Sequence, residues 1–142
     1  YGKIYVARGA MGYSDVGVVR ALLEADAYDG PSIIIAYSHC IAHGINMAKG
    51  LEEQKKAVDS GHYPLFRYNP MMAEQGQNPL KLDSKPPSIN FEEFAYGETR
   101  FKMLSKAKPE QSKALIDQAQ AEINSRWKMY EQLAGMNYGG NE

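Results

Sequence analysis

Apolar and polar positions change rhythm three times along the chain. Near the start, Ile4-Tyr5-Val6-Ala7 is a β-branched and aromatic run ended by Gly9 and Gly12, the composition of a strand followed by a tight turn. Ser14 stands where a helix N-cap is expected, and Asp15 puts negative charge against the positive end of the helix dipole. Val19, Leu22, Leu23 and Ala27 then recur at helical spacing between Arg20, Glu24 and Asp26, which predicts a helix ended by Asp29-Gly30-Pro31. Ser32 to Tyr37 follows as a strand. Its uninterrupted Ile33-Ile34-Ile35 is the pattern of a central parallel strand covered on both faces. Strand, helix and strand in so short a span predict a right-handed βαβ crossover.

A second helix is predicted over 45–58, with Met47, Ala48, Leu51, Lys55 and Val58 on one face and Gly61 closing it. Tyr63 to Tyr68 suggests a short strand, with Pro64 marking an edge position or a strand beginning. A Pro-rich connection over 69–90 is expected to be ordered by packing, since Leu80 and Leu82 alternate within it. Beyond it the pattern turns helical. Phe94, Phe101 and Leu104 share a face over 91–104, weakened by Gly97. Pro109 suits the first position of a long helix in which Leu115, Ala119, Ile123, Trp127, Tyr130 and Leu133 form a stripe that should fold back over the sheet. Residues 135–142 are expected to fray. The fold class expected is α/β, a mostly parallel sheet with flanking helices plus a C-terminal helical region. It divides into an α/β part over 1–90 and a helical part over 91–142.

Charge narrows the possible partners. Sixteen Lys and Arg against 17 Asp and Glu leave a net charge of −1, without the basic excess that nucleic acid or an anionic membrane demands. Hydrophobic residues make up 44% of the 142 residues, enough for a core and against wholesale disorder. Ile33 to Ala36 is the longest strongly apolar run, far below the roughly 20 residues of a membrane span. The single cysteine, Cys40, has no intramolecular partner and fits a reducing compartment. With Tyr1 in place of an initiator Met, the chain reads as a piece of a longer polypeptide.

Tyr37-Ser38-His39-Cys40-Ile41-Ala42-His43-Gly44 is the richest stretch for chemistry. Cys40 lies just past the carboxyl end of a parallel strand, where open α/β sheets place ligands. Its thiol is a candidate nucleophile, metal ligand or cluster ligand, or a small buried apolar group. Cys40 and His43 have C-x-x-H spacing, and a zinc site would need two more ligands from His39, His62 or a carboxylate. Cys40 with His43 or His62 as base is the nucleophilic alternative. Gly9-Ala10-Met11-Gly12 before a helix could receive a phosphate, but lacks the full Gly-x-Gly-x-x-Gly spacing and any P-loop Lys. A plain strand-to-helix turn is the simpler account.

Over Gly30-Pro31-Ser32-Ile33-Ile34-Ile35-Ala36-Tyr37-Ser38-His39-Cys40-Ile41-Ala42-His43-Gly44, the sequence resembles the C-terminal end of pyruvate:ferredoxin (flavodoxin) oxidoreductase. The likeness continues through Ala57-Val58-Asp59-Ser60-Gly61-His62-Tyr63-Pro64-Leu65-Phe66-Arg67-Tyr68-Asn69-Pro70, Gly76-Gln77-Asn78-Pro79 and Leu82-Asp83-Ser84-Lys85, and more loosely at Arg100-Phe101. The resemblance implies the last part of a thiamine-diphosphate-binding domain. The whole enzyme of that family oxidatively decarboxylates pyruvate with coenzyme A and passes electrons through 4Fe–4S clusters to ferredoxin or flavodoxin. It implies Cys40 as one of the four cysteine ligands of the cluster nearest the thiamine, the other three lying outside this chain. Thiamine diphosphate and Mg²⁺ would likewise be held mostly outside it. A cytoplasmic, dimeric enzyme is expected, with the isolated chain inactive and no catalytic residue of its own. His39, His43 and His62 inherit no role from the resemblance. The competing expectation is a non-catalytic structural or interaction domain with an inert Cys40, presenting the face of Leu115, Ile123, Trp127 and Tyr130 to a partner.

Overall fold

A computed structural model describes residues 2–139. The first strand, β1 (Tyr5–Gly9), leads through a tight turn into α1 (Asp15–Ala27) and returns as β2 (Ser32–Ala36). Ser14 caps α1 as its sequence position predicts, its Oγ accepting the Gly17 N–H at 2.9 Å. Strands β1 and β2 run parallel, Tyr5 opposite Ser32 and Gly9 opposite Ala36. On the face under α1, Tyr5, Ala7 and Ile34 meet Ala21 and Ala25. Small residues on the helix let it approach the strands closely.

The rest of the sheet departs from the mostly parallel expectation. After α2 (Gly50–Asp59), β3 (Phe66–Tyr68) lies antiparallel beside β1, and β4 (Leu80–Leu82) lies antiparallel beside β3. The order is therefore β2-β1-β3-β4 in a mixed sheet with one parallel ladder and two antiparallel ones. The short connection from β3 to β4 favours their antiparallel pairing, whereas β3 enters beside β1 antiparallel after the longer segment that carries α2. Strand β3 is interior, with Pro64 ahead of it. The Pro-rich connection carries α3 (Pro70–Glu74), capped by Asn69, as well as β4.

Strand β2 is also corrected. It is one of the two edge strands of the sheet among the described residues, and Ile33 and Ile35 remain about half exposed. Its apolar run is suited to burial on both faces, but the four strands here cover it on one edge only. The outer face of α1 shares this exposure. Val19, Leu22 and Leu23 point away from the sheet, and Ala21 is the helix's buried residue.

The predicted 91–104 helix is split at Gly97 into α4 (Phe91–Ala95) and α5 (Thr99–Ala107). The long helix α6 (Pro109–Ala134) starts at Pro109 as expected. Its Ile123 and Trp127 are buried, whereas Leu115 stays about half exposed. The C-terminal half of α6 returns to the sheet, bringing Tyr130 within 5.4 Å of Phe66, ring centre to ring centre. Asn78 caps its end, Nδ2 facing the carbonyls of Leu133, Ala134 and Met136 at 2.8, 2.9 and 3.0 Å. Of the tail expected to fray, 135–139 is irregular and tethered at Met136; 140–142 lie outside the described residues.

An ion network centred on the buried Arg67 ties sheet to helix. Arg67 on β3 grips Asp83 with two bonds, Nε–Oδ2 at 2.7 Å and Nη2–Oδ1 at 2.8 Å, and pairs with Glu24 on α1. Glu24 also accepts the Tyr5 hydroxyl at 3.0 Å. Burial, reinforced by this bond, raises the Tyr5 pKa well above the usual phenol range.

Candidate functional site

Four residues beyond β2, the chain reaches Cys40 in extended conformation (φ −136°, ψ 137°). Its thiol is free and partly exposed at the carboxyl edge of the parallel pair. A single 3₁₀ turn, Ile41–His43, follows, with the His43 N–H bonded to the Cys40 carbonyl at 3.0 Å. Gly44 closes the turn at φ +72°, where a side chain would be strained and a Cβ would overlap Thr99.

Two sets of contacts hold this segment. On one side, His39 packs over Gly50 at the start of α2, where a Cβ would strike the imidazole. Gln54 Nε2 lies 3.1 Å from His39 Nδ1, while Gln54 Oε1 accepts the Gly12 N–H at 2.8 Å. One amide thus links the turn after β1 to the segment after β2. On the other side, the Gly44 carbonyl accepts the Thr99 hydroxyl at 2.7 Å and the Thr99 N–H at 3.3 Å. His43 Nδ1 stands 3.6 Å from Glu98 Oε1, and His43 Nε2 stands 3.4 Å from an Arg100 guanidinium nitrogen.

The polar residues beneath are deeply buried. Glu98 is fully buried and receives Arg100 Nε at 2.5 Å on Oε2, leaving Oε1 without a hydrogen bond. Glu53, 7% exposed, lies over Gly97 with its own Oε1 unbonded. Burial raises the Glu53 pKa, Lys56 opposes that, and Glu98 adds to it. Burial, then the Glu98 charge, pushes the Tyr37 phenol up to about 12. The expected face of α2 is revised accordingly. Val58 is buried as expected, but Glu53, Gln54 and Ala57 also turn inward while Leu51 is 57% exposed, because Gln54 has two polar partners inside.

The histidines do not converge on the cysteine. His62 stacks on Phe94 at 5.0 Å and lies 5.3 Å from Phe91. His39 is held by Gln54, and His43 faces Glu98. Among the described residues, no group of three or more His, Cys, Asp or Glu side chains could hold a metal ion, so a protein-only zinc site is not assembled. No histidine hydrogen-bonds the Cys40 thiol among them, as a Cys–His nucleophile would require. The Gly9–Gly12 stretch is a turn. Ser14 Oγ and Asp15 Oδ1 already accept N–H groups at the start of α1, and a Cβ on Gly12 would overlap the Leu51 carbonyl.

Glu98, Thr99, Glu53 and Gln54 were not marked by the sequence pattern. The only local signal was Gly97, whose helix break places Glu98 and Thr99 at the start of α5. No helix among the described residues is long and apolar enough to cross a membrane.

No family model matches the sequence. Individual proteins do. A pyruvate-flavodoxin oxidoreductase of Nostoc sp. is 58% identical over 134 residues, 94% of this chain and 11% of the relative. A pyruvate:ferredoxin oxidoreductase of Moorella thermoacetica is 48% identical over 134 residues, again 94% of this chain and 11% of the relative. A probable pyruvate-flavodoxin oxidoreductase of Escherichia coli is 40% identical over 135 residues, 95% of this chain and 12% of the relative. The chain spans about 11% of the length of the relatives it matches. Over 94% of its length the chain therefore matches one segment of pyruvate-flavodoxin and pyruvate:ferredoxin oxidoreductases.

Proposed function

We propose that this chain is the C-terminal segment of an enzyme that oxidises pyruvate with coenzyme A to acetyl-CoA and carbon dioxide, delivering electrons to ferredoxin or flavodoxin. Cys40 supplies one of four thiolate ligands to a 4Fe–4S centre, and three come from elsewhere in the polypeptide. When bound, such a centre supplies one-electron transfer. The observation that carries this reading is a free, partly exposed thiol at the carboxyl edge of a parallel βα unit. The residues fit one corner of the centre and no more, since the described residues offer no second cysteine and no metal-holding group. Thiamine diphosphate and Mg²⁺ are assigned to the rest of the enzyme.

Within this proposal the chain's own residues bind and orient. Strand β2 carries Cys40 to the sheet edge, and the turn after it exposes the sulfur while His39 and His43 anchor the backbone on either side. Residues 1–90 form the α/β part and 91–142 the helical part that buttresses it. The exposed Val19, Leu22, Leu23, Ile33 and Ile35 favour the remainder of the polypeptide as the partner that covers them. The complete enzyme is proposed to be a cytoplasmic homodimer, and the chain alone to be inactive.

The test is Cys40→Ser in the complete enzyme. The expected result is loss of about one cluster's iron and of its low-temperature EPR signal, with thiamine binding retained. Unchanged iron content and an unchanged signal would refute the assignment of Cys40.

A further inference from the structure

We infer that Glu98 and Thr99 are positioning residues for Cys40: Thr99 holds the far end of the turn that follows it, and Glu98 sets a buried carboxylate against His43 on that turn. The inference rests on Cys40 being a cluster ligand, and it concerns residues of this chain that lie far from Cys40 in sequence.

The geometry runs through the backbone. Cys40 is bonded to the 3₁₀ turn by its carbonyl, which accepts the His43 N–H at 3.0 Å. The far end of that turn is Gly44, whose carbonyl is held twice by Thr99, through Oγ1 at 2.7 Å and N–H at 3.3 Å. The turn therefore has a fixed end at α5 and a working end at Cys40. Gly44 reinforces the fit, because its positive φ and its contact with Thr99 exclude a side chain there.

Glu98 adds an electrostatic part. It is fully buried, and a buried carboxylate requires partners to offset its lost hydration. Arg100 supplies one on Oε2, but Oε1 has no hydrogen bond, nor has His43 Nδ1, which faces it at 3.6 Å. Two complementary buried atoms lie just beyond bonding distance, one of them on the turn bonded to Cys40. A modest movement of the turn closes that gap, so the position of His43 and the Glu98 charge are coupled.

A negative charge held in a poorly solvated site opposes the arrival of an electron nearby. Replacing Glu98 by Gln keeps the shape and removes the charge. In the complete enzyme, Glu98→Gln should leave iron content unchanged and raise the midpoint potential of the Cys40-ligated centre. A tenfold shift of its reduction equilibrium, about 59 mV for a one-electron couple, is the size sought. Thr99 is exposed at the start of α5, so its variants test the clamp without opening the core. Thr99→Val should alter the EPR line shape of the same centre, and Thr99→Ser, which keeps the hydroxyl, should restore it.

Cys40→Ser is run alongside. If it abolishes the signal while Glu98→Gln leaves the potential and Thr99→Val the line shape unchanged, the positioning role is overturned and the ligand assignment survives. If Cys40→Ser itself leaves the signal intact, the ligand assignment fails and the inference fails with it. Should Glu98→Gln not accumulate, the Thr99→Val and Thr99→Ser pair decides the matter alone.

Discussion

His62 makes the stability of this chain depend on pH in a direction that can be worked out from its surroundings. The imidazole is stacked on Phe94 and beside Phe91, and burial, with Arg126, Arg100 and Arg8 adding like charge, lowers its pKa from 6.5 to about 4. In the unfolded chain the ring takes up a proton as pH falls through 6.5, while in the folded chain it stays neutral until about 4. Over that window the unfolded state binds the extra proton, so acidification favours unfolding. The interval covers roughly two and a half pH units at about 1.4 kcal/mol each, giving a loss of about 3 kcal/mol by pH 4. Against a typical total of about 5–15 kcal/mol, that is a large share. The perturbation is His62→Phe, which keeps an aromatic ring in the cluster and removes the titration. Urea unfolding of both chains from pH 7.5 to 4 isolates the effect, because the carboxylates shared by the two cancel in the difference. The variant should gain about 3 kcal/mol on the wild type across that range. A difference that stays constant with pH, or an NMR titration placing His62 near 6.5, would refute the reasoning.

Two further substitutions probe the buried charges. Arg67→Ala strands Asp83 and Glu24; breaking a buried pair costs about 3–5 kcal/mol, and the partial exposure of both partners trims the expectation to about 2–3 kcal/mol in urea midpoints. A loss below about 1 kcal/mol would show that the fork contributes little beyond packing. Glu53→Gln should stabilise the chain at pH 7. The buried carboxylate has a raised pKa, so its cost grows as pH rises through the carboxylate range, and the variant's advantage in Tm should be larger at pH 7 than at pH 4.5. A lower Tm than wild type at pH 7 would contradict that account.

The parts of the fold legible in sequence were those whose causes are local. Ser14 capping α1, Asp29-Gly30-Pro31 ending it and Pro109 opening α6 depend on neighbouring residues alone. What escaped depended on distant partners. Leu80 and Leu82 flank a single residue, too short a pattern to declare a strand, and β4 exists because β3 lies beside it. The inward face of α2 could not be read from hydropathy, since Gln54 is drawn in by Gly12 and His39. The apolar run of β2 signalled burial that this chain's sheet supplies on one side only. The place of Cys40 just past a strand was legible, because the strand pattern before it is local. Glu98 was not, because a charged residue beside a glycine ordinarily faces water, and its burial is decided by His43 and Arg100.

The one-sided pairing of β2 has a consequence for how substitutions are tolerated. The Tyr37 N–H bonds inward to the Gly9 carbonyl, so by alternation the amides of Ile34 and Ala36 face away from β1. A change at Ile33, Ile35, Leu22 or Leu23 therefore removes little that this chain itself packs. The same change in the proposed full-length enzyme would fall within a contact surface. Two mutational landscapes are thus superimposed on one stretch of sequence. The cores around Tyr5 and Phe94 are constrained in both settings, whereas the outer side of α1 and β2 is constrained only by company.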